Sequence, residues 1–366
     1  MPPLPQSCRG LLLGLAVGDA LGTPVDHKTY SQICEDYGPS GLLGYDLANG
    51  HDGVSSYTQV AAFTCNGLLL GLTRGQSGPA QCMGYVTLAL KEWAKVLYLP
   101  SDPQRRYCWL SHIPSLRQRK CLDARALDTM IREVPGSLEK PGNQAVGPGM
   151  LTAAAMAGMF YTPDRMEVHE IGLLGARIVA LTHGDPTAFL CGAVLAYAAA
   201  GILQEPEVPL KEQLAQALMA VQLQFGKRYP RFAEVRGLVE TAMSLADDPT
   251  VPAPAAMDRL GCFSAPQVLA GTVYAVLAGG GDFDASMILA VNHSGKSAAV
   301  GALTGALLGA AMGEEALPDF YLESLPCAGV LRSLADDLTG GGAQGWQSKL
   351  FDDEWDRKYN QGLPVD

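Results

Sequence analysis

This sequence predicts an all-α fold, and three observations carry that expectation. Apolar residues recur at helical spacing in one stretch after another. Turn residues punctuate those stretches, and strand-like alternation is nearly absent. The composition agrees. Of the 366 residues, 48% are hydrophobic, and there are 42 glycines. The apolar share is largely Ala, Leu and Val, which with so much glycine suits closely packed helices better than sheets.

The elements follow in order. A first helix is expected over 7–21, where Gly14, Gly18 and Gly22 recur every fourth residue and leave one smooth face for another backbone. A glycine-containing loop then reaches Ser55-Ser56-Tyr57-Thr58, hydroxyl-rich N-cap chemistry opening a helix over 57–73. Helices over 78–96 and 123–133 flank the basic, irregular segment 99–120, which reads as a solvated excursion or as a partner-binding loop. "KPGNQAVGPGM" leads into 147–161, "TPD" separates that from 166–182, and "THGDP" hands over to 186–203 at Pro186. Helices over 209–224 and 231–245 precede the turn-rich "DDPTVPAPAA" (247–256), and 264–279 and 283–292 follow it. The helix over 298–312 repeats the glycine face at Gly301, Gly305 and Gly309, and 325–337 completes the series. No linker forces a boundary, so one domain is expected over 1–338. Beyond it lies a tail, 339–366, that Trp355 and Tyr359 can pin to the body.

Charge narrows the function. The balance of 26 basic and 37 acidic residues is −11, with no basic stripe, which argues against nucleic-acid binding. A helix N-terminus can still hold a small anion against that overall charge. Nine cysteines, an odd number with no CxxC, suggest reduced thiols in a cytoplasmic protein. "MPPLPQSCRG" lacks the pattern of a secretory signal. Two stretches imitate membrane spans, but 189–203 is only 15 residues, short of the roughly 20 needed, and 301–310 is closely bracketed by Lys296 and Glu314-Glu315. No membrane association is expected.

Several positions offer chemistry. Asp19 interrupts an apolar helix, and a carboxylate is costly to bury without partners. It fits either a cap on a neighbouring helix or a ligand contact. Asp26, in the loop after Thr23-Pro24, fits an acid–base role or plain surface exposure. Ser55, Ser56 and Tyr57 either cap a helix or face a ligand. Asn143, Gly147 and Gly149 form a loop that can bring backbone close to a ligand. His183 ends one helix, as a cap or as a ligand contact. His293, Ser294, Gly295, Lys296 and Ser297 precede another, where Lys296 adds a full positive charge to the helix N-terminus. That group can form an anion pocket or partner a nearby Asp.

In this order the blocks "GLAVGDALGTPVD" (14–26), "TQVAAFTCNGLLLG" (58–71), "NQAVGPGM" (143–150), "LTHGDP" (181–186) and "LAVNHSGKSAAVGALTGALLGAAMGEEALP" (289–318) resemble the ADP-ribosylglycohydrolases, the dinitrogen-reductase-activating glycohydrolase group. The resemblance spans roughly 8–325. It implies a compact orthogonal multi-helix bundle with a cleft for ADP-ribose or an ADP-ribosylated protein. Members of that family usually hold two Mg²⁺ ions on a Thr-Asp-Asp-Thr run and an Asp-x-Asp-Ser/Thr run. Here the first falls on Ser55, Ser56, Tyr57 and Thr58, and the second on Lys296, Ser297, Ala298 and Ala299, so all four aspartates are missing. Only the Ser55 hydroxyl remains as a ligand. The family's acidic residue after the first glycine block is Asp26, and its Met-Arg pair after the middle glycine loop is Thr152-Ala153. No metal cofactor is therefore expected, because Mg²⁺ requires hard oxygen ligands, usually including carboxylates. The Lys296 ammonium is expected to occupy part of the vacated volume and to pair with Asp19, Asp26 or a ligand phosphate. Two functions follow: a non-hydrolytic binding or regulatory protein, or an enzyme that works without metal through Asp26 or His293. A subunit that supports a partner through 99–120 is a third.

Overall fold

The computed structural model describes residues 4–47, 53–76, 78–98, 106–132, 134–343 and 352–365. Among them every regular element is helical. In chain order the helices are α1 (Leu4–Gly22), α2 (Tyr30–Tyr37), α3 (Ser56–Thr73), α4 (Pro79–Tyr98), α5 (Ala124–Arg132) and α6 (Leu151–Phe160). Next come α7 (Val168–Ala180), α8 (Pro186–Gln204), α9 (Leu210–Phe225), α10 (Phe232–Ala246), α11 (Ala253–Leu260) and α12 (Ala265–Ala278). The last are α13 (Phe283–Val291), α14 (Ser297–Met312), α15 (Asp319–Glu323), α16 (Ala328–Ala343) and α17 (Asp353–Asp356).

The long helices stand where the periodicity puts them. The short ones, α2, α11, α15 and α17, are absent from the periodic pattern because two turns hold too few apolar positions to show it. Local chemistry makes them instead. A capping box, Thr29 with Gln32, opens α2. The prolines read as a turn at 247–256 start α11, with Pro254 in the first helical turn, where its missing N–H is no loss.

The two glycine faces meet each other. Gly10, Gly14, Gly18 and Gly22 of α1 lie against Gly309, Gly305, Gly301 and Ser297 of α14, so the helices run antiparallel with backbones in direct contact. A methyl on Gly14 would stand 2.9 Å from the Gly305 carbonyl carbon, and one on Gly305 would stand 2.6 Å from that of Gly14. The seam positions the site: α1 carries Asp19 to the first turn of α3, and the turn just after it sets Asp26 at the N-terminus of α14.

Helices α1 and α8 are long and apolar enough to cross a membrane, and α8, at 19 residues, carries the 15-residue apolar stretch 189–203 within it. In both, 83% of the apolar window is buried against other helices. All nine cysteines are unpaired.

The basic segment 99–120 is less solvated than expected. Residues 99–105 lie outside the described residues. From Tyr107 the chain folds down onto α4, where the buried Glu92 carboxylate accepts from the Tyr107 and Cys108 amides and from the Ser111 hydroxyl. Trp109, Leu110 and Leu116 are buried there. Helix α16 runs through residue 338 to Ala343. Past the undescribed 344–351, Trp355 donates to Thr73 Oγ1 at 3.0 Å. Tyr359 donates to Asp337 at 2.5 Å, and Lys358 pairs with the same carboxylate.

Candidate functional site

Asp19 is fully buried under the first turn of α3. Its Oδ2 accepts from the Ser55 amide (2.8 Å), the Thr58 amide (3.1 Å) and the Thr58 hydroxyl (2.6 Å), and its Oδ1 accepts from Ser55 Oγ (2.5 Å). It thus caps a helix from a different part of the chain, satisfying amides that no helical carbonyl reaches. Burial pushes its pKa up, and the Ser55 and Thr58 donors pull against that. Ser56 donates to the Cys121 carbonyl at 2.6 Å. Thr152 Oγ1 donates to the Tyr57 carbonyl at 2.7 Å, which ties α6 to the same turn. The Tyr57 ring is buried, and its phenol pKa is raised by that burial and by the charges of Asp26 and Asp123.

Asp26 follows the short 3₁₀ turn at Thr23–Val25. Its Oδ1 accepts from the Ala298 amide (3.2 Å) at the start of α14. Its Oδ2 lies 3.0 Å from His27 Nε2, but off the line a hydrogen bond needs, so that buried oxygen has no hydrogen-bond partner. Burial raises the Asp26 pKa, against the charges of His27 and Lys296. His27 adopts φ +68°, a left-handed conformation uncommon outside glycine. That turn folds an imidazole, 63% exposed, back over a carboxylate that is 1% exposed. Lys296 Nζ then lies 3.0 Å from His27 Nδ1 and 3.4 Å from Nε2. The expectation that Lys296 pairs directly with Asp19 or Asp26 is corrected here. The ammonium rests on His27, because Asp19 is enclosed by its own donors and His27 covers the open side of Asp26.

The loop before α14 is braced from several sides. His293 is buried, with Nε2 2.9 Å from the Ala290 carbonyl and Nδ1 accepting from the Gly295 amide at 2.9 Å. Burial lowers its pKa to about 4. Both ring nitrogens are spent on this loop, so His293 positions Lys296, and an acid–base role for it is corrected. Ser294 accepts from the Tyr30 amide at the start of α2 (3.0 Å), and Ser297 Oγ reaches the His293 carbonyl at 3.4 Å. Gly295 packs so closely that a methyl there would stand 2.5 Å from the Cys262 carbonyl oxygen.

The middle glycine loop is held separately. Asn143 donates to the Thr182 carbonyl (2.9 Å), and its Oδ1 accepts from the Ala145 and Gly184 amides. His183 is buried, with Nδ1 2.8 Å from Thr182 Oγ1 and Nε2 3.4 Å from Asp123 Oδ2. Burial raises the Asp123 pKa, but the His183 bond and the first amides of α5 outweigh it, and the net shift is downward. Gly147 and Gly149 pack on this pair: a methyl on Gly147 would lie 3.2 Å from His183 Nε2, and one on Gly149 would lie 2.6 Å from Asp123 Cβ.

The architecture and this geometry can now be set beside known proteins. The sequence profile of the ADP-ribosylglycohydrolases matches residues 2–347. The chain belongs to that family. Among solved structures, 47 chains match. One, described as an ADP-ribosylglycohydrolase-related protein complex, is 22% identical and has a TM-score of 0.54. The match covers 92% of this chain and 98% of that one, a likeness in fold. No curated protein matches.

The donors do not fit the family's two Mg²⁺ ions. At the positions of the first ligand run, Ser55 donates to Asp19, Ser56 donates to Cys121 and the third residue is a phenol. At the second run stand an ammonium and two methyl side chains, Lys296, Ala298 and Ala299. Among the described residues no three His, Cys, Asp or Glu side chains converge as a metal site. A +1 ammonium about 4 Å from a +2 ion would add roughly 8 kcal/mol of repulsion at an effective dielectric of 20.

Sequence reasoning missed His27 and Asp123. His27 follows a flagged carboxylate, but its role depends on a backbone twist that spacing does not reveal. Asp123 precedes a helix, where an N-cap is the ordinary reading, and its link to His183 is long-range. A cavity of about 390 Å³ lies elsewhere, among α7, α8 and α9, lined by Tyr161, Tyr197, Gln204 and Gln213. It sits near the C-terminal end of α8, whereas the candidate site adjoins the N-terminal end, some 25 Å away along the axis.

Proposed function

We propose that this chain is a non-hydrolytic member of its family, a cytoplasmic binding or regulatory protein that takes ADP-ribose or an ADP-ribosylated protein without magnesium. The supporting observation is the replacement of the metal ligands by a fixed cation: Lys296, held on His27 beside Asp26, stands where the family's second ligand run falls. The braced glycine loops at 143–149 and 292–297 support retention of a nucleotide cleft, because their backbones are fixed by Asn143, His293 and Ser294 rather than by a metal. Titration calorimetry with ADP-ribose tests this reading. Binding of the same strength with Mg²⁺ and with EDTA, with no ADP-ribose released from modified protein, is the expected result. Absence of heat in both conditions, or affinity that depends on Mg²⁺, sinks it.

A second reading has its own support. Asp26 is buried with a raised pKa, and one of its oxygens lacks a hydrogen-bond partner, as a general acid requires. Metal-independent release of ADP-ribose that vanishes in Asp26→Asn would select this alternative over the first.

A further inference from the structure

We infer that the cavity of about 390 Å³ among α7, α8 and α9 is a second binding site, built for a neutral or cationic aromatic ring that carries an N–H donor. The inference goes beyond the proposed function and does not rest on it. The cavity lies at the other end of α8 from the candidate cleft, and its lining suits a ligand unlike ADP-ribose.

Its size falls within the roughly 300–1,000 Å³ of small-molecule pockets. The walls are mostly apolar. Helix α7 gives Val168 and Ile171, α8 gives Tyr197 and Ala200, and α9 gives Ala217 and Ala220. The Tyr197 ring lies against Gly172, where a methyl would collide with it. Its hydroxyl donates to Gln224 Oε1 at 2.8 Å, and Gln224 Nε2 donates to the His169 carbonyl at 2.7 Å. This wall is therefore fixed before a ligand arrives, which lowers the entropic cost of binding.

Among the buried lining residues one is polar. Gln213 is 3% exposed, and its Nε2 donates to the Gly201 carbonyl at 3.1 Å and to the Glu205 carbonyl at 2.9 Å. Both amide hydrogens are spent, and the amide cannot turn over without setting oxygen against oxygen. Oε1 is left beside Gly201, another lining residue, and accepts no hydrogen bond from the described residues. A methyl at 201 would collide with that oxygen, so glycine makes room for it. An acceptor in an apolar pocket selects an occupant that brings a donor, because one without it leaves the oxygen unpaired.

The charges narrow the class further. Among the described lining residues the one charged side chain is Glu205. A shallower continuation past Val168, Tyr197 and Ala220 adds Glu167 and His169, and no lysine or arginine lines either part. A diphosphate finds no counter-charge there. A sugar finds too few partners, since its hydroxyls each need one and the buried lining offers a single amide.

The test is a ligand-observed NMR titration of the full chain at pH 8 with indole, 1-methylindole, tryptamine and indole-3-acetate. Indole is expected to bind with a Kd of about 1 mM or tighter. 1-Methylindole, the same ring without the N–H, binds about tenfold more weakly or worse. Tryptamine binds more tightly than indole-3-acetate, and salt narrows that gap. Ala220→Phe fills the cavity from a half-buried position and abolishes binding of all these probes, with an unchanged melting temperature showing that the variant folds. Gln213→Met keeps the volume, removes the acceptor and brings indole and 1-methylindole to equal affinity. No indole binding up to about 5 mM overturns the inference. So do equal affinities for indole and 1-methylindole in the unaltered protein, binding that survives Ala220→Phe, or tighter binding of indole-3-acetate than of tryptamine. ADP-ribose is expected not to displace indole, so success or failure of ADP-ribose binding in the other cleft leaves this result standing on its own.

Discussion

His293 makes the stability of this protein sensitive to mild acid, and the size of the effect follows from its surroundings. The ring is buried, receives the Gly295 amide on Nδ1 and lies against the Ala290 carbonyl through Nε2, an arrangement that suits only the neutral tautomer. Burial takes its pKa from 6.5 to about 4. Because the folded pKa is the lower one, the contribution is fully present above pH 6.5. It is lost as pH falls toward 4, where the unfolded chain binds a proton that the fold refuses. The whole gap, 2.5 pKa units, is about 3 kcal/mol, and about 2 kcal/mol of it is lost between pH 7 and pH 5. The perturbation is His293→Asn, whose side-chain oxygen can still accept the Gly295 amide but cannot titrate. At pH 7 the variant is less stable by roughly 1–3 kcal/mol, since the Ala290 carbonyl loses its donor. By pH 5 the gap narrows by about 2 kcal/mol. Equilibrium urea unfolding of both proteins at the two pH values measures this, and pH effects from other groups cancel in the double difference. Parallel curves, with the gap unchanged, would refute the reasoning.

Other expectations follow from the same framework. Gly14→Ala forces α1 from α14, because the new methyl would stand 2.9 Å from the Gly305 carbonyl carbon, against an ordinary 3.5–4.0 Å. A loss of about 1–3 kcal/mol or more in urea unfolding is expected, and a neutral result would mean the seam is looser than described. Asp19→Ala leaves the Ser55 and Thr58 amides without an acceptor, and a loss of about 3 kcal/mol is expected, with Asp19→Asn milder. Equal effects for the two variants, measured by calorimetric melting, would show that the cap is not the reason Asp19 is there. Lys358→Ala removes a charged donor from the Asp337 carboxylate and should destabilise by roughly 1–3 kcal/mol and raise protease cleavage in the C-terminal segment. Unchanged cleavage would show that this ion pair does not hold the segment down.

The long helices were legible because their signals are local: periodicity, caps and breakers all sit within a few residues of the element they shape. The pairing of α1 with α14 was half legible. Both glycine faces stand out in the sequence, but nothing in either says that the other is its partner. The same division holds at the site. The absence of the family's aspartates could be read directly from 55–58 and 296–299. What the residues present do instead could not, because it turns on tertiary geometry. Asp19 caps a helix from outside it, His27 twists into a left-handed conformation, and Lys296 therefore meets an imidazole where a carboxylate was expected. The buried Glu92 likewise turned an apparently solvated basic stretch into a docked one, since a single carboxylate gathers two amides and a hydroxyl.

The glycine seam also bears on how the protein comes into being. Its two halves, Leu4–Gly22 and Ser297–Met312, are separated by some 275 residues of chain. At a synthesis rate of about 5–20 residues per second, the first helix must wait roughly 14–55 seconds on the ribosome before the surface it was shaped for has even been made. For that interval an apolar segment with a groove down one side is exposed to whatever else can fill it. Dependence on a holding chaperone during translation, and recovery of yield when synthesis is slowed or cooled, would be the cellular signature of that delay.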